Sequence, residues 1–331
     1  MNPVPTPFDT LAPHWRAVAA DGLAAADLAP SGPARLLSGG VSGAPVCMVP
    51  TDQGRVLLRL EPERIALEHR ARNAACMRAA AEAGVAPPVL YSDPVAGVTV
   101  MAFIEGRPLS EHPGGRAAVV RGLGGLVAQV QAVPPFPMLG GGEDVVAWLL
   151  RQLAASGVFA PGLLDRPAEA LARVRAVRPW DLASLVPSHN DPNPRNLISD
   201  GRRLWLIDWE LACQNDPLFD LAIISTDLAD TPALRDGLIE GYFGRAPTEA
   251  DHAALDVVRL LARLFYGCIV MESLAHGPGR APETSLAALT PEGFGAEIAA
   301  GRLGGHIPAE TARAFGLMSL RAFVDGVEAF S

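Results

Sequence analysis

One segment near the middle of the chain constrains its fold more than any other. It reads SHNDPNPRNLI and then RLWLIDWELA, and it carries His189, Asp191, Asn196 and Asp208 in that order. The turn-forming residues 199–202 (SDGR) lie between two short apolar runs, a pattern typical of a tight β-hairpin. We therefore expect a hairpin that brings Asn196 and Asp208 back toward each other.

These polar residue types suit the transfer of a phosphoryl group. Such a reaction needs an aligned acceptor hydroxyl, which Asp191 can hold and deprotonate, and Mg²⁺ held against a triphosphate. The amide oxygen of Asn196 and the carboxylate of Asp208 are hard oxygen ligands of the kind that Mg²⁺ prefers. The alternative is an ordinary polar loop, because Asp, Asn and Pro cluster in turns for backbone reasons alone. That alternative leaves the apolar run LWLID and its terminal acid unexplained. For His189 we favour a structural role, with hydrogen bonds to the loop backbone.

The rest of the chain alternates between two patterns. Up to about residue 105 it reads as strands, one helix over 64–83 capped by Gly84, and more strands. Beyond Gly106 it is mostly helical, with helices expected over 115–133, 143–155 and 166–178 and again from about Pro217. The prediction is an α+β fold of two lobes. Residues 1–105 form a small lobe with a mixed β-sheet that binds nucleotide, and residues 106–331 form a larger helical lobe with the catalytic loop and substrate site.

Composition narrows the partners and the compartment. The net charge of −9 argues against nucleic acid, whose phosphates require a basic face, and favours a cationic small-molecule substrate. The four cysteines are far apart, without metal-ligand spacing, which fits a reducing compartment. We find neither a signal peptide nor a membrane-spanning apolar run. We expect a cytoplasmic protein that binds no membrane. The oligomeric state is left open.

The sequence around the predicted hairpin resembles that of a known group of enzymes. H-N-D-x-x-P-x-N-x-[IL] followed by L-I-D-W-E-x-A-x-x-N-D-P-L-F-D-L-A is similar to the choline/ethanolamine kinase and aminoglycoside phosphotransferase superfamily. The bacterial choline/ethanolamine kinase-like members are the most similar. The resemblance runs from about Leu36 to Tyr242, and nothing specific is recognised beyond Gly244. It implies a protein-kinase-like fold, with ATP and Mg²⁺ as cofactors.

The resemblance also implies roles for individual residues of the second lobe. Asp191 would be the catalytic base, and Asn196 and Asp208 the magnesium ligands. Glu210 would be a third acid near the metal or substrate. Asp220 would stand at a helix start and, like His189, support the catalytic loop.

The first lobe would supply the nucleotide site. LSGGVSGAPVCMV resembles a phosphate-covering turn, with Gly40 and Ser42 as the candidate contacts and Gly43 where the family has Asn. The chain contains no lysine, so Arg59 would provide the cation for the α- and β-phosphates, an exchange that retains charge and permits bidentate contacts. Glu68, on the following helix, would hold Arg59 in place.

The segment MAFIEG resembles the linker between the two lobes. The main chain around Phe103 and Ile104 would meet adenine, and Glu105 with Gly106 would lead into the second lobe.

The phosphate acceptor is less constrained than the reaction. Choline calls for carboxylates and aromatic faces around a quaternary ammonium. The candidate carboxylates are Asp191, Glu210, Asp216 and Glu240, but no tryptophan follows Trp209. Four later aromatic residues could line the pocket or belong to the core: Tyr242, Phe243, Phe265 and Tyr266.

Several functions stay open at this point. We prefer choline, ethanolamine or a similar amino alcohol as acceptor; the alternatives are an aminoglycoside, thiamine, homoserine or a sugar. A nucleotide-binding pseudokinase is the non-enzymatic alternative. A metal-dependent hydrolase fits less well, because the chain lacks the histidine-rich ligand sets common in such enzymes.

Overall fold

The computed structural model of the protein describes residues 7–37, 44–275, 281–304 and 309–330. The chain divides into two compact units. The first contains residues 1–137, 187–214 and 227–246, and the second contains 138–186, 215–226 and 247–331. This division follows a different line from the predicted boundary between residues 105 and 106, which stays a prediction.

Helices predominate in the second unit, and both helices and strands build the first. The helices are α1 (Pro13–Ala25), α2 (Leu67–Glu82), α3 (Gly115–Gln131), α4 (Val145–Ala155), α5 (Asp165–Val177), α6 (Phe219–Asp227), α7 (Pro232–Phe243), α8 (Glu249–Ser273), α9 (Pro291–Ala299) and α10 (Ala309–Ala329). The strands are β1 (Arg35–Leu37), β2 (Val46–Thr51), β3 (Gly54–Leu60), β4 (Val89–Asp93), β5 (Val98–Ala102), β6 (Val186–Ser188), β7 (Leu197–Ser199), β8 (Leu204–Leu206) and β9 (Cys213–Asn215). The predicted helices at 64–83, 115–133, 143–155 and 166–178 are confirmed, with ends that differ by a few residues.

The main sheet of the first unit has five strands in the order β1-β2-β3-β5-β4. The sequence predicts a mixed sheet, but the four pairings of this sheet are all antiparallel. Short connections explain the difference: β2 and β3 are joined by a turn from Thr51 to Gly54, and parallel neighbours would need a long crossover. Gly54 has a φ of +117°, a conformation that L-residues avoid.

One face of this sheet is the core of the first unit. Val56, Leu58 and Leu60 alternate along β3 and are buried together with residues of α1. Helix α1 comes close to the sheet at Gly22, where an added Cβ would lie 2.6 Å from a methyl group of Val98. The alternation leaves Arg59 on the opposite face of the strand.

Helices α3 and α7 pack closely within the first unit through two glycines. A Cβ on Gly124 would overlap the carbonyl oxygen of Leu238, and a Cβ on Gly241 would overlap that of Arg121. The hydroxyl of Tyr242 donates a hydrogen bond of 2.6 Å to Gln131 in the same helix pair. The absence of two side chains therefore lets the backbones of α3 and α7 meet.

The second unit is built around α8 and α10. Phe265 is buried in it and forms an edge-on contact with Phe219, so it belongs to the core. Tyr266 is half-buried and its ring lies 6.2 Å from that of Phe315. Among the described residues, every helix is too short or too polar to cross a lipid bilayer.

Candidate active site

The loop before β7 begins with a strained residue. Asn190 has a φ of +64°, in the left-handed region that asparagine tolerates better than most residues. Its buried amide group donates a hydrogen bond of 2.9 Å to the carbonyl oxygen of Leu211. This contact holds the backbone turn and presents the next residue, Asp191.

His189 fixes the same loop from within. It is fully buried, its Nε2 donates to the carbonyl oxygen of Ile207 at 2.9 Å, and its Nδ1 accepts from the backbone N–H of Asp191 at 3.2 Å. These partners fit the neutral ring with the proton on Nε2. Burial lowers the pKa of His189 to about 4. The ring also packs at 4.5 Å from that of Trp209. These contacts agree with the structural role favoured by the sequence.

Asp191 is held by two asparagine side chains. Its Oδ1 accepts a hydrogen bond of 2.7 Å from Asn193, and its Oδ2 accepts one of 2.8 Å from Asn196. Asn193 is absent from the sequence-based site, where NDPNP reads as turn residues; its side-chain oxygen does cap the next turn by accepting from the N–H of Arg195. The carboxylate of Asp191 is half-buried and has a fixed orientation.

The predicted hairpin is present and brings the two ends of the motif together. Strands β7 and β8 pair with Leu197 opposite Leu206, and the backbone N–H of Ile207 donates to the carbonyl oxygen of Asn196 at 3.0 Å. Asp208 follows at once with a φ of +64°. Its carboxylate is 38% exposed, which leaves it open to a ligand.

Arg59 lies among three carboxylates. Its Nη1 is 3.4 Å from Asp208 and its Nε is 3.5 Å from Glu61, while its Nη2 forms an ion pair with Glu210. Three carboxylates and one guanidinium give this cluster a formal charge of −2. A divalent cation would neutralise it.

The partner predicted for Arg59 is corrected by the structure. Glu68 is exposed in the first turn of α2, and the ion pairs of Arg59 do not include it. Helix α2 contacts the site instead through Arg72, whose Nη2 donates to the carbonyl oxygen of Glu210 at 2.8 Å. Glu61 could have been predicted as a partner of Arg59 from its position two residues later, because side chains two residues apart lie on the same face of an extended chain.

The donor chemistry fits Mg²⁺. The amide nitrogen of Asn196 is used by Asp191, whereas its amide oxygen accepts no hydrogen bond from the described residues. That oxygen and the Asp208 carboxylate are hard ligands. No group of three or more His, Cys, Asp and Glu residues in the described part of the chain could hold a metal ion. Remaining positions would go to phosphate oxygens and water, as is usual for Mg²⁺.

The segment after β5 has the property expected of an adenine site. The N–H and carbonyl of Ile104 have no hydrogen-bond partner among the described residues. The neighbouring ring of Phe103 lies 5.0 Å below the guanidinium of Arg55, which also forms an ion pair with Glu105. An unused main-chain donor and acceptor are therefore available at the predicted position.

Gly40, Ser42, Asp216 and Asp220 complete the set of residues predicted from the sequence. Gly40 and Ser42, like Gly43, fall outside the described residues. Asp216 and Asp220 belong to the second unit, where Asp220 is fully buried in the first turn of α6.

Asp216 has a partner that the sequence did not reveal. Its two carboxylate oxygens accept hydrogen bonds of 2.6 and 2.7 Å from Arg178, and one also accepts from the N–H of Leu218 at 2.9 Å. Arg178 therefore neutralises the charge that was expected to bind a cationic substrate, and Asp216 secures the start of α6.

Comparison with known protein families decides the class. The phosphotransferase enzyme family (APH) matches residues 33–258, more than half of the chain. The chain belongs to this family. The resemblance stated from the sequence is thereby confirmed, and membership of a phosphotransferase enzyme family agrees with the predicted enzyme class.

Relatives of this phosphotransferase share either a short stretch or the fold. Over 58 residues it is 43% identical to Protein LicA of Haemophilus influenzae. This aligned stretch covers 18% of this chain and 22% of that protein. The match thus spans about a fifth of the length of this curated relative.

Two solved structures share the fold over most of their length. A choline/ethanolamine kinase family protein from Mesorhizobium loti has a TM-score of 0.60 and 24% identity, covering 90% of this chain and 93% of that chain. The macrolide 2'-phosphotransferase MphH from Brachybacterium faecium has a TM-score of 0.54 and 21% identity, covering 78% and 98%. The predicted α+β, kinase-like fold is confirmed by these likenesses.

Proposed function

We propose that this phosphotransferase transfers the γ-phosphate of ATP to a hydroxyl group of choline, ethanolamine or a similar amino alcohol in the cytoplasm. The observation that carries the proposal is the fixed carboxylate of Asp191, held between Asn193 and Asn196 in a loop anchored by His189. Phosphoryl transfer depends mainly on positioning and on electrostatic stabilisation, and this loop is built for positioning.

Asp191 acts on the acceptor. Each of its oxygens accepts a hydrogen bond from one asparagine amide, and a carboxylate can accept a further hydrogen bond from a substrate hydroxyl. The hydroxyl oxygen forms the new bond to the γ-phosphorus, its proton passes to the Asp191 carboxylate, and the bond from that phosphorus to the bridging oxygen of ADP breaks. The side-chain amides of Asn193 and Asn196 thus fix the orientation of the Asp191 carboxylate before the substrate binds.

Three other groups act on the nucleotide. Asn196 and Asp208 would hold Mg²⁺, which when bound neutralises charge on the β- and γ-phosphates. Arg59 contacts the α- and β-phosphates through its terminal nitrogens, and the main chain of Ile104 meets adenine. Each of these positions offers an atom of the required type: a hard oxygen, a guanidinium or a free amide.

The amino-alcohol acceptor has narrower support. The Mesorhizobium loti structure belongs to a choline/ethanolamine kinase family protein. The whole-chain charge of −9 and the acidic cluster around Arg59 attract cations. Glu210 is the carboxylate best placed to face an ammonium group, because it adjoins Asp208 and loses its present partner when Arg59 turns to phosphate.

The test is a product assay with a panel of acceptors. Purified protein is incubated with Mg-ATP and choline, ethanolamine, thiamine, homoserine, a sugar, kanamycin or erythromycin, and phosphomonoesters are detected by ³¹P NMR, with Asp191→Asn as the matched inactive variant. We expect a choline or ethanolamine ester from the unsubstituted protein only. A product from another acceptor would retain the reaction and refute the amino alcohol. Nucleotide binding without any product would favour the pseudokinase, and absence of binding would refute both.

A further inference from the structure

We infer that Glu61 is the positioning residue for Arg59. It keeps its contact with the guanidinium when nucleotide binding breaks the contacts of Arg59 with Asp208 and Glu210. The inference rests on the proposed function, because it concerns how Arg59 meets the phosphates of ATP. Sequence reasoning gave this task to Glu68, which the structure leaves exposed.

Each acidic partner contacts a different nitrogen of the guanidinium. Asp208 faces Nη1, Glu210 faces Nη2 and Glu61 faces Nε. The two terminal nitrogens form the edge that makes paired contacts with phosphate. Glu61 occupies the remaining position, so it can stay bound when that edge turns to a nucleotide.

The three partners also differ in what else they can do. Asp208 and Glu210 follow one another closely at the end of the hairpin and are 38% and 29% exposed, so ligands can reach them. The side chain of Glu61 is only 9% exposed. A ligand that binds Asp208 would free Nη1 of Arg59, whereas burial keeps ligands away from the contact between Glu61 and Arg59.

Burial of the Glu61 carboxylate lowers the stability of the fold unless the ion pair with Arg59 compensates for it. Removing a carboxylate from water is unfavourable without a partner, and a buried ion pair seldom adds net stability. Arg59 is its only ion-pair partner in the described part of the chain. The backbone of Glu61 is fixed independently, because its N–H donates to the carbonyl oxygen of Gly97 at 2.8 Å. A rigid main chain therefore carries a buried charge directed at one guanidinium.

The experiment compares Glu61→Gln with Glu63→Gln, an exposed glutamate two residues further along that loses the same charge. The dissociation constant for Mg-ATP is measured by calorimetry, and KM is measured separately for ATP and acceptor. We expect Glu61→Gln to weaken Mg-ATP binding by about 5- to 20-fold, consistent with a charge-assisted contact, with an acceptor KM within about twofold. Glu63→Gln should leave all three constants unchanged.

A double-mutant cycle separates positioning from mere structure. In an Arg59→Met background, Glu61→Gln should have no further effect on Mg-ATP binding, because the group it positions is gone. An undiminished effect in that background would overturn the inference, as would Mg-ATP binding by Glu61→Gln equal to that of the unsubstituted protein. If Glu61→Gln does not fold, Glu61→Asp, whose charge is withdrawn by one methylene, replaces it with the same expectations. Failure of the unsubstituted protein to bind Mg-ATP would instead refute the proposed function itself.

Discussion

The proposed catalytic loop, residues 189–196, and the Arg59 cluster meet at Asp208, but they are assembled in different ways. In the loop, His189 and its partner Ile207 are 18 positions apart, and Asp191 and Asn196 are only 5 apart. In the cluster, Arg59 and Asp208 are 149 positions apart. The loop can therefore be read from residue order and turn chemistry, whereas the cluster depends on how a sheet and a distant hairpin come together.

The largest expected effect is at the residue that both regions share. Asp208→Ala removes the proposed magnesium ligand and a partner of Arg59, and the loss of a metal contact worth several kcal/mol should lower kcat/KM by about 10³-fold. Steady-state kinetics at several Mg²⁺ concentrations would measure it. A loss of less than about threefold that is the same at every Mg²⁺ concentration would contradict the ligand role and show that the two regions are independent.

A smaller effect is expected in the cluster alone. Arg59→Met should raise the KM for ATP by about 10- to 100-fold, because charge-assisted contacts to phosphate are lost, with little change in the acceptor KM. Arg35→Met, which removes an exposed arginine from β1, is the control. Equal effects of the two substitutions would contradict the assignment of Arg59 to the nucleotide.

The loop anchored by His189 should make the stability of the protein depend on pH. Burial lowers the pKa of His189 to about 4 from 6.5. The folded state then binds fewer protons than the unfolded chain between these values, so the contribution of the neutral ring is complete above pH 6.5 and declines as pH falls toward 4. The complete contribution is about 3 kcal/mol.

Thermal unfolding of the unsubstituted protein and His189→Gln would test this. The stability advantage of the unsubstituted protein at about pH 7.5 should shrink by roughly 2 kcal/mol at about pH 5. An advantage that is the same at both pH values would mean that His189 is not buried in its neutral form.

The last prediction concerns stability alone, at the close contact between α3 and α7. Gly124→Ala should destabilise the protein by about 1–3 kcal/mol, because the new methyl group overlaps the backbone of α7. Gly125→Ala is the matched control: its Cβ would lie 3.6 Å from Gly241, and alanine favours the helix by up to about 1 kcal/mol. Chemical denaturation that found both variants equally stable would contradict the close approach of α3 and α7.

Much of the fold was predictable because its signals are local. Gly84 ends α2 with a φ of +72°, and residues 200–203 form the turn of the hairpin, in which Asp200 accepts from the N–H groups of Arg202 and Arg203. What the sequence could not supply are partners chosen by tertiary packing. Glu61 replaces Glu68 beside Arg59, and Arg178 binds Asp216. Several acids lie at plausible distances along the chain in each case, and only the folded geometry selects one.

The central claim, that Asp191 serves the phosphoryl transfer and not the binding of nucleotide, is tested most directly by one pair of measurements on Asp191→Asn. Mg-ATP affinity is measured by calorimetry, and transfer of a labelled γ-phosphate to the acceptor identified by the panel is measured in a single turnover. The account predicts Mg-ATP affinity within about threefold of the unsubstituted protein and transfer reduced by about 10²- to 10⁴-fold, the range for loss of a positioned base. Unchanged transfer by Asp191→Asn would contradict it.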